Sequence, residues 1–112
     1  MSKLRSTDEY LRTLDDRFVS SACRGDRFTV QYDLSDPDGL TFFVTVDDGT
    51  MEAQRGTHST PDVRIETSGR DFVALVNGEL GGKRAFFSGR LKFSGDLPKA
   101  MKLEKIFPKG SK

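Results

Sequence analysis

The sequence predicts an α+β domain in which one sheet carries helices on one of its faces. Two observations predict this fold class. Short segments of alternating apolar and polar residues, a pattern typical of half-buried strands, fill most of the first half of the chain. Apolar residues at helical spacing, introduced by helix-capping residues, open the chain and return in its second half. Because 112 residues correspond to one domain, we expect residues 1–112 to share a single core.

The first predicted element is a helix. Ser6 and Glu9 form a capping-box pattern, in which a hydroxyl and a carboxylate bind free backbone N–H groups at the start of a helix. The apolar residues that follow at helical spacing are Tyr10, Leu11, Leu14 and Phe18. We expect this helix to end near Val19 or Ser21, where small polar residues begin.

Four strands are expected next, each recognised by apolar residues at every second position. The apolar members of the first two are Phe28, Val30, Tyr32 and Leu34, then Leu40, Phe42, Val44 and Val46. The third and fourth strands are shorter, with Met51 and Ala53, then Val63 and Ile65. Turn-forming residues at 36–39 and 48–49 separate the first three strands. The alternation gives the first strand one apolar face and one solvated face.

The pattern then returns to helix. Ser68 and Asp71 form another capping box, and the helix they open is expected to stop at Gly78. Its apolar residues are Phe72, Leu75 and Val76. A short helix from Lys83 to Ser88 should follow, and it carries Phe86 and Phe87.

A fifth strand and a last helix complete the predicted order. Leu91 and Phe93 alternate in the strand, and Asp96 is the predicted cap of the helix, with Pro98 in its first turn. The apolar residues of this helix are Leu97, Ala100, Met101, Leu103, Ile106 and Phe107.

The composition argues against several classes of function. Lys and Arg number 18 against 17 Asp and Glu, a net charge of +1, whereas nucleic-acid-binding domains are normally strongly basic. No segment approaches the ~20 apolar residues of a membrane span, and residues 1–16 lack the apolar part of a signal peptide. A single cysteine rules out an internal disulfide. We therefore expect a cytoplasmic protein.

Candidate catalytic and metal-binding residues are few. The one histidine, His58, lies in a polar loop without a partner motif, and the one cysteine, Cys23, has no base near it in sequence. A structural zinc site takes about four Cys or His ligands, more than the chain has. We interpret His58 as an exposed loop side chain and Cys23 as a half-buried thiol. We expect no enzymatic activity, no cofactor and no metal.

Lysines recur along the last predicted helix, at Lys99, Lys102, Lys105 and Lys109. One interpretation is a contact with an anionic membrane. The other is a solvated helix face, with cations near the C-terminal end where the helix dipole favours them. Glu104 and the small net charge dilute any basic field and favour the second interpretation.

The most specific pattern lies between Asp62 and Phe107. A strand is followed by a helix that ends in glycine, and then by the run Ala85-Phe86-Phe87-Ser88-Gly89-Arg90-Leu91-Lys92-Phe93-Ser94-Gly95-Asp96. This order resembles the sterol carrier protein type two lipid-binding family. The resemblance covers roughly residues 18–107, and it is strongest from Phe86 to Asp96.

The resemblance implies a five-stranded, mainly antiparallel sheet covered by helices, with an apolar tunnel between the layers. Members of the family bind sterols, fatty acyl chains and other lipids there without covalent chemistry. Carried onto this chain, the implied tunnel residues are Phe72, Leu75, Val76, Phe86, Phe87 and Met101, with Phe42 and Val44 in the floor. Peroxisomal members end in Ser/Ala-Lys-Leu, whereas this sequence ends in Lys109-Gly110-Ser111-Lys112, so peroxisomal import is not expected.

The leading functional hypothesis is therefore a non-catalytic carrier of apolar lipids. A first alternative is an accessory subunit whose tunnel holds the apolar tail of a biosynthetic intermediate, such as a quinone, for partner enzymes. A second is an interaction module whose groove takes an amphipathic peptide.

Overall fold

The computed structural model describes residues 3–108, and its centre is a five-stranded sheet. The strands are β1 (Arg27–Ser35), β2 (Leu40–Asp47), β3 (Thr50–Arg55), β4 (Val63–Ser68) and β5 (Lys92–Gly95). Their order across the sheet is β3-β2-β1-β4-β5. Neighbouring strands are antiparallel except β1 and β4, which are parallel. The predicted five-stranded, mainly antiparallel sheet is confirmed.

Residues 3–108 also form five helices and a 3-10 turn. They are α1 (Thr7–Arg12), α2 (Leu14–Arg17), the turn Ser20–Cys23, α3 (Gly69–Val76), α4 (Gly82–Phe87) and α5 (Leu97–Ile106). The three predicted caps are formed. The hydroxyls of Ser6 and Ser68 each accept a hydrogen bond from the backbone N–H three residues later, both at 3.1 Å, and the carboxylate of Asp96 does the same at 3.2 Å.

The first helix is shorter than predicted, because it breaks at Thr13. The Thr13 hydroxyl donates to the Glu9 carbonyl at 2.8 Å, and its backbone leaves helical geometry at φ −106° and ψ 12°. Such a side-chain bond competes with the helical pattern of backbone bonds. The helix resumes for one turn as α2 and ends at Arg17, before the predicted end near Val19 or Ser21.

The start of α3 is fixed by close contact with the β1–β2 turn. A Cβ placed on Gly69 would lie 1.6 Å from the carbonyl oxygen of Asp38, so only glycine fits here. The Arg70 N–H also donates to the Pro37 carbonyl at 3.1 Å. This contact sets where α3 lies on the sheet.

The outer face of β1 is not solvated as predicted. Gln31 is fully buried and Thr29 nearly so, because the loop after β3 folds back over this face. The Gln31 side-chain amide donates to the Gly56 carbonyl at 3.1 Å and accepts from the His58 N–H at 2.7 Å.

Two side chains expected to be exposed or half-buried are less accessible than predicted. His58 is half-buried, because its ring packs edge-on against Phe43 with 5.2 Å between centroids. Cys23 is completely buried, and its thiol donates to the Ser20 carbonyl at 3.4 Å.

Within residues 3–108, no helix combines the length and apolar character that crossing a membrane requires. Lys109 and the last residues of the chain lie outside the described range.

Candidate functional site: an apolar cavity

A cavity of about 660 Å³ lies between the sheet and α3, α4 and α5. Its volume falls in the range of small-molecule binding pockets, roughly 300–1,000 Å³. Most of the lining is apolar or aromatic: Tyr10, Tyr32, Ile65, Phe72, Leu75, Val76, Phe86, Phe87, Leu91, Phe93, Leu97, Ala100, Met101, Leu103 and Phe107. Gly82, Lys83 and Glu104 complete it.

The strand register shows which end of the cavity is closed and which end is open. Phe42, Tyr32, Ile65 and Phe93 are paired across four neighbouring strands and form one row on the inner face. Their exposure rises along the row, from 0% at Phe42 to 3%, 7% and finally 37% at Phe93. The cavity is therefore closed towards β2 and opens to solvent at the β5 edge.

The open end is rimmed by exposed apolar side chains. Phe87 is 83% exposed, Met101 66%, Leu97 58% and Phe86 48%. Together with Phe93, these are all the exposed large hydrophobic residues in the part of the chain that the structure describes, and all five line the cavity. Since soluble proteins rarely collect exposed apolar residues in one place without a use for them, this clustering marks a binding site.

Six of the eight residues carried over from the resemblance lie in this lining. They are Phe72, Leu75, Val76, Phe86, Phe87 and Met101. Which of them contact a ligand stays a prediction.

The two proposed floor residues, Phe42 and Val44, do not line the cavity. Both are completely buried. Phe42 lies behind Tyr32, with the rings stacked at 4.5 Å. Val44 belongs to the next row of the sheet, beside Val30 and Val63, which are buried as well.

Tyr32 and Ile65 form the floor instead, and the sequence prediction missed them. Alternation places both on the inner face, as it places Phe42 and Val44. Only the pairing of β1 with β4 shows which row lies beneath the cavity. Other lining residues missed are Tyr10, Leu91, Phe93, Leu97, Ala100, Leu103 and Phe107. Leu97 and Met101, four residues apart on α5, share a helix face, a signal the sequence did contain.

The tyrosines are the polar groups deepest in the cavity. Tyr10 is 5% and Tyr32 3% exposed. Burial raises the pKa of Tyr10 above its ordinary value, although nearby Arg17 opposes the shift. Burial also raises the pKa of Tyr32, and the neighbouring Tyr10 phenol adds to it. Both phenols are therefore uncharged over the physiological pH range.

Within residues 3–108, no group of three or more His, Cys, Asp or Glu side chains is arranged to hold a metal ion. His58 Nδ1 accepts a hydrogen bond from the Thr60 N–H at 3.1 Å, on the outer face of the sheet and away from the cavity. The mainly apolar lining of the cavity suits an apolar molecule.

This fold and this cavity define a class, the small α+β domain with an apolar cavity between its sheet and its helices. The family model described as the SCP-2 sterol transfer family matches residues 11–108. The chain belongs to this family, as the resemblance predicted.

Known proteins similar to this chain differ greatly in length. The hydroxysteroid dehydrogenase-like protein 2 of Rattus norvegicus is 31% identical over 102 residues, which is 90% of this chain but only 20% of the rat protein. The chain thus spans about a fifth of that relative's length.

Two solved structures share the fold at low identity. The palmitated SCP2L2 of Aedes aegypti, solved by NMR, has a TM-score of 0.74 and 18% identity, and the match covers 96% of this chain and 99% of that one. The stereoselective inverting sec-alkylsulfatase Pisa1 from Pseudomonas sp. has a TM-score of 0.76 and 19% identity, covering 96% of this chain but 17% of the sulfatase.

Proposed function

We propose that this protein binds an apolar lipid in the cavity and transfers it without covalent chemistry. One observation carries the proposal: every exposed large hydrophobic side chain of residues 3–108 lines the cavity. Burying a methylene group is worth about 0.8 kcal/mol, so an alkyl chain with ten buried methylenes gains roughly 8 kcal/mol before ordering costs. Binding of this kind needs no catalytic group.

The tunnel implied by the family resemblance forms, in our proposal, when a ligand is bound. Helix α4 and the first half of α5 carry the exposed rim residues Phe86, Phe87, Leu97 and Met101. Contact with an alkyl chain would cover these side chains and draw the two helices together. The Aedes aegypti relative was solved as a palmitated protein, which makes a fatty acyl chain the first ligand to try.

Contact with an anionic membrane is a further part of the proposal, but the support for the predicted lysines is uneven. The amine of Lys102 lies 2.6 Å from Asp26, and that of Lys99 lies 3.5 Å from Asp96, so both cations are already paired. Lys105 is exposed. If these lysines make the contact, Lys99→Glu, Lys102→Glu and Lys105→Glu together should abolish flotation with phosphatidylserine vesicles. Unchanged flotation would remove them from the proposal.

We place the transfer in the cytoplasm, where a single thiol such as Cys23 stays reduced.

Native mass spectrometry of freshly purified protein tests the carrier function. We expect mass additions that match lipids, which extraction with organic solvent removes and added palmitate restores. A protein that is always empty and takes up none of the lipids offered would contradict the proposal.

A second candidate function is that of an accessory domain or subunit that presents an apolar substrate to an enzyme. The observation in its favour is that the rat dehydrogenase-like protein and the sulfatase are both several times longer than the region this chain matches. It predicts that a biosynthetic enzyme co-purifies with the protein and that this enzyme works faster on its lipid substrate when the protein is added. An unchanged rate would leave only the carrier function.

A further inference from the structure

The inner end of the cavity holds two tyrosines whose hydroxyl groups have no partner among residues 3–108. Tyr10 comes from α1 and Tyr32 from the central strand β1. Among the described residues, neither phenol oxygen makes a hydrogen bond. These are the only two tyrosines in the chain, and both line the cavity.

The phenol oxygens are not sealed inside the core. No buried side-chain oxygen of residues 3–108 lacks a hydrogen-bond partner, so an unpartnered phenol oxygen must reach open space. Because both residues are at least 95% buried and both line the cavity, that space is the cavity itself.

The rings are held firmly, so the hydroxyls have fixed positions. Phe72 packs edge-on against both tyrosines, with centroids 4.8 Å from Tyr10 and 5.8 Å from Tyr32. Phe42 stacks on the other side of Tyr32 at 4.5 Å, and the guanidinium of Arg17 lies 5.3 Å from the Tyr10 ring centroid. Two donors placed in this way form a site rather than a pair of mobile side chains.

A purely apolar ligand would be penalised at this end of the cavity. It would cover two hydroxyl groups and leave both without a hydrogen bond, and each such loss costs about 1–3 kcal/mol. A ligand with an oxygen at its buried end would satisfy them. Sites that hydrogen-bond a polar group discriminate strongly against analogues that lack it.

We propose that Tyr10 and Tyr32 form a polar subsite at the closed end of the cavity, and that it binds an uncharged oxygen, a hydroxyl or a carbonyl, of an otherwise apolar ligand. The inference rests on the proposed function and narrows its ligand class. The ligand enters with this oxygen first, and its apolar body extends past Ile65 towards the rim at Phe93. An uncharged group suits this end because moving a carboxylate from water into an apolar wall is far more costly than moving a hydroxyl.

The test compares two probes of equal heavy-atom count, 1-dodecanol and tridecane, on the whole chain. Tyr10→Phe and Tyr32→Phe each remove one hydroxyl and keep the ring. Each should weaken 1-dodecanol binding about 2- to 10-fold, the equivalent of one hydrogen bond, and should strengthen tridecane binding, because the apolar chain then leaves one hydroxyl fewer without a hydrogen bond. The control is Thr29→Val, which removes a nearly buried hydroxyl from the opposite face of the sheet and should change neither affinity.

A stability measurement accompanies the binding data. Since neither hydroxyl has a partner in the described part of the chain, both tyrosine variants should unfold at the same urea concentration as the unsubstituted protein or a higher one. Unchanged 1-dodecanol affinity in both variants overturns the subsite, and so does an equal loss for both probes, which would show a packing effect. Palmitate, whose carboxylate stays at the rim, tests the proposed function separately. If palmitate binds the unsubstituted protein and neither probe does, the subsite is overturned and the proposed function stands, whereas if none of the three binds, both fail.

Discussion

Individual side chains of the cavity divide into those that the fold needs and those that it leaves exposed. Leu75 and Val76 are each 7% exposed and belong to the hydrophobic core. Phe86 is 48% exposed and contacts mainly other rim residues, with ring centroids 5.6 Å from Phe87 and 6.1 Å from Phe93. Substitution at the rim should therefore affect binding more than folding.

Phe86→Asp tests this separation. We expect the free energy of unfolding to change by less than about 1 kcal/mol, because surface substitutions usually cost little. Lipid affinity should fall at least tenfold, because a carboxylate now faces the ligand. Lipid titration and urea unfolding measure the two effects. The control is Phe43→Asp, which alters a half-buried phenylalanine on the outer face and should leave the affinity of the folded protein unchanged. Equal affinity in the folded Phe86→Asp variant would show that Phe86 does not contact the ligand.

The buried tyrosines also predict how stability depends on alkaline pH. Burial raises the pKa of Tyr10 and Tyr32 above their ordinary value of 10.0. The folded-state pKa is the higher one. The buried, uncharged tyrosines therefore contribute fully to the free energy of unfolding below a pH of about 10, and this contribution is lost as the pH rises through the folded-state pKa. We expect unfolding and phenolate absorbance to appear together in an alkaline titration. In the Tyr10→Phe, Tyr32→Phe double variant the unfolding midpoint should move to higher pH. Phenolate absorbance from a fully folded protein at a pH near 10 would contradict this.

Among the elements, α4 is held to the rest of the protein by little buried surface. Ala85 is its one buried residue, and the carbonyl of Ala85 accepts backbone hydrogen bonds from Arg90 at 2.9 Å and Leu91 at 3.1 Å. No side chain caps its first turn. By contrast, the second half of α5 is anchored by fully buried Ile106, whose carbonyl accepts from the Val19 N–H at 2.8 Å.

Hydrogen exchange should therefore be fast in α4 and sensitive to ligand. Regions with few buried contacts open at low free-energy cost, and a ligand that covers Phe86 and Phe87 would raise that cost. Mass-spectrometric exchange with and without palmitate should show α4 amides slowed at least tenfold by the ligand, while the amides of β1 stay unchanged. If bound palmitate leaves α4 exchange unaltered, the ligand does not lie against this helix.

The order of elements and the caps followed from the sequence because they depend on local chemistry. Ser68 and Asp96 cap their helices as predicted, since a capping residue acts on backbone groups two or three positions away. The break at Thr13 was missed because a hydroxyl that bonds back to the preceding turn leaves no distinct sequence pattern. Gln31 was missed for a different reason, since its burial depends on a loop more than twenty residues away.

At the scale of the whole molecule, the cavity reduces the apolar contacts that stabilise the fold, and a domain of this size has few of them. A chain of this size buries less of its surface on folding than larger domains do, and about 660 Å³ between sheet and helices is left unfilled by protein. The sequence predicted that such a space exists through the family resemblance, but the position of the space depends on strand register, which alternation alone does not give. This is why Tyr32 and Ile65, rather than Phe42 and Val44, form the floor.

Binding should consequently stabilise the whole domain. A ligand at a hundred times its dissociation constant adds about 2.7 kcal/mol to the free energy of unfolding. For a domain of this size that corresponds to a melting temperature higher by about 10 °C. Scanning calorimetry of the delipidated protein with increasing palmitate measures this shift, and Phe86→Asp at the same concentrations should show about half of it or less, because its affinity is at least tenfold weaker. No shift with palmitate in the unsubstituted protein would exclude this ligand.

The row from Phe42 to Phe93 predicts a limit on the length of ligand that the cavity can hold. Neighbouring residues of the row lie one strand spacing apart, about 4.8 Å, so each further strand adds this length to the cavity. The cavity ends at Tyr32, because the Phe42 ring is stacked behind it. A smaller residue at position 42 would set the stop one strand further back. The spacing between strands would then set the longest ligand that the cavity accepts.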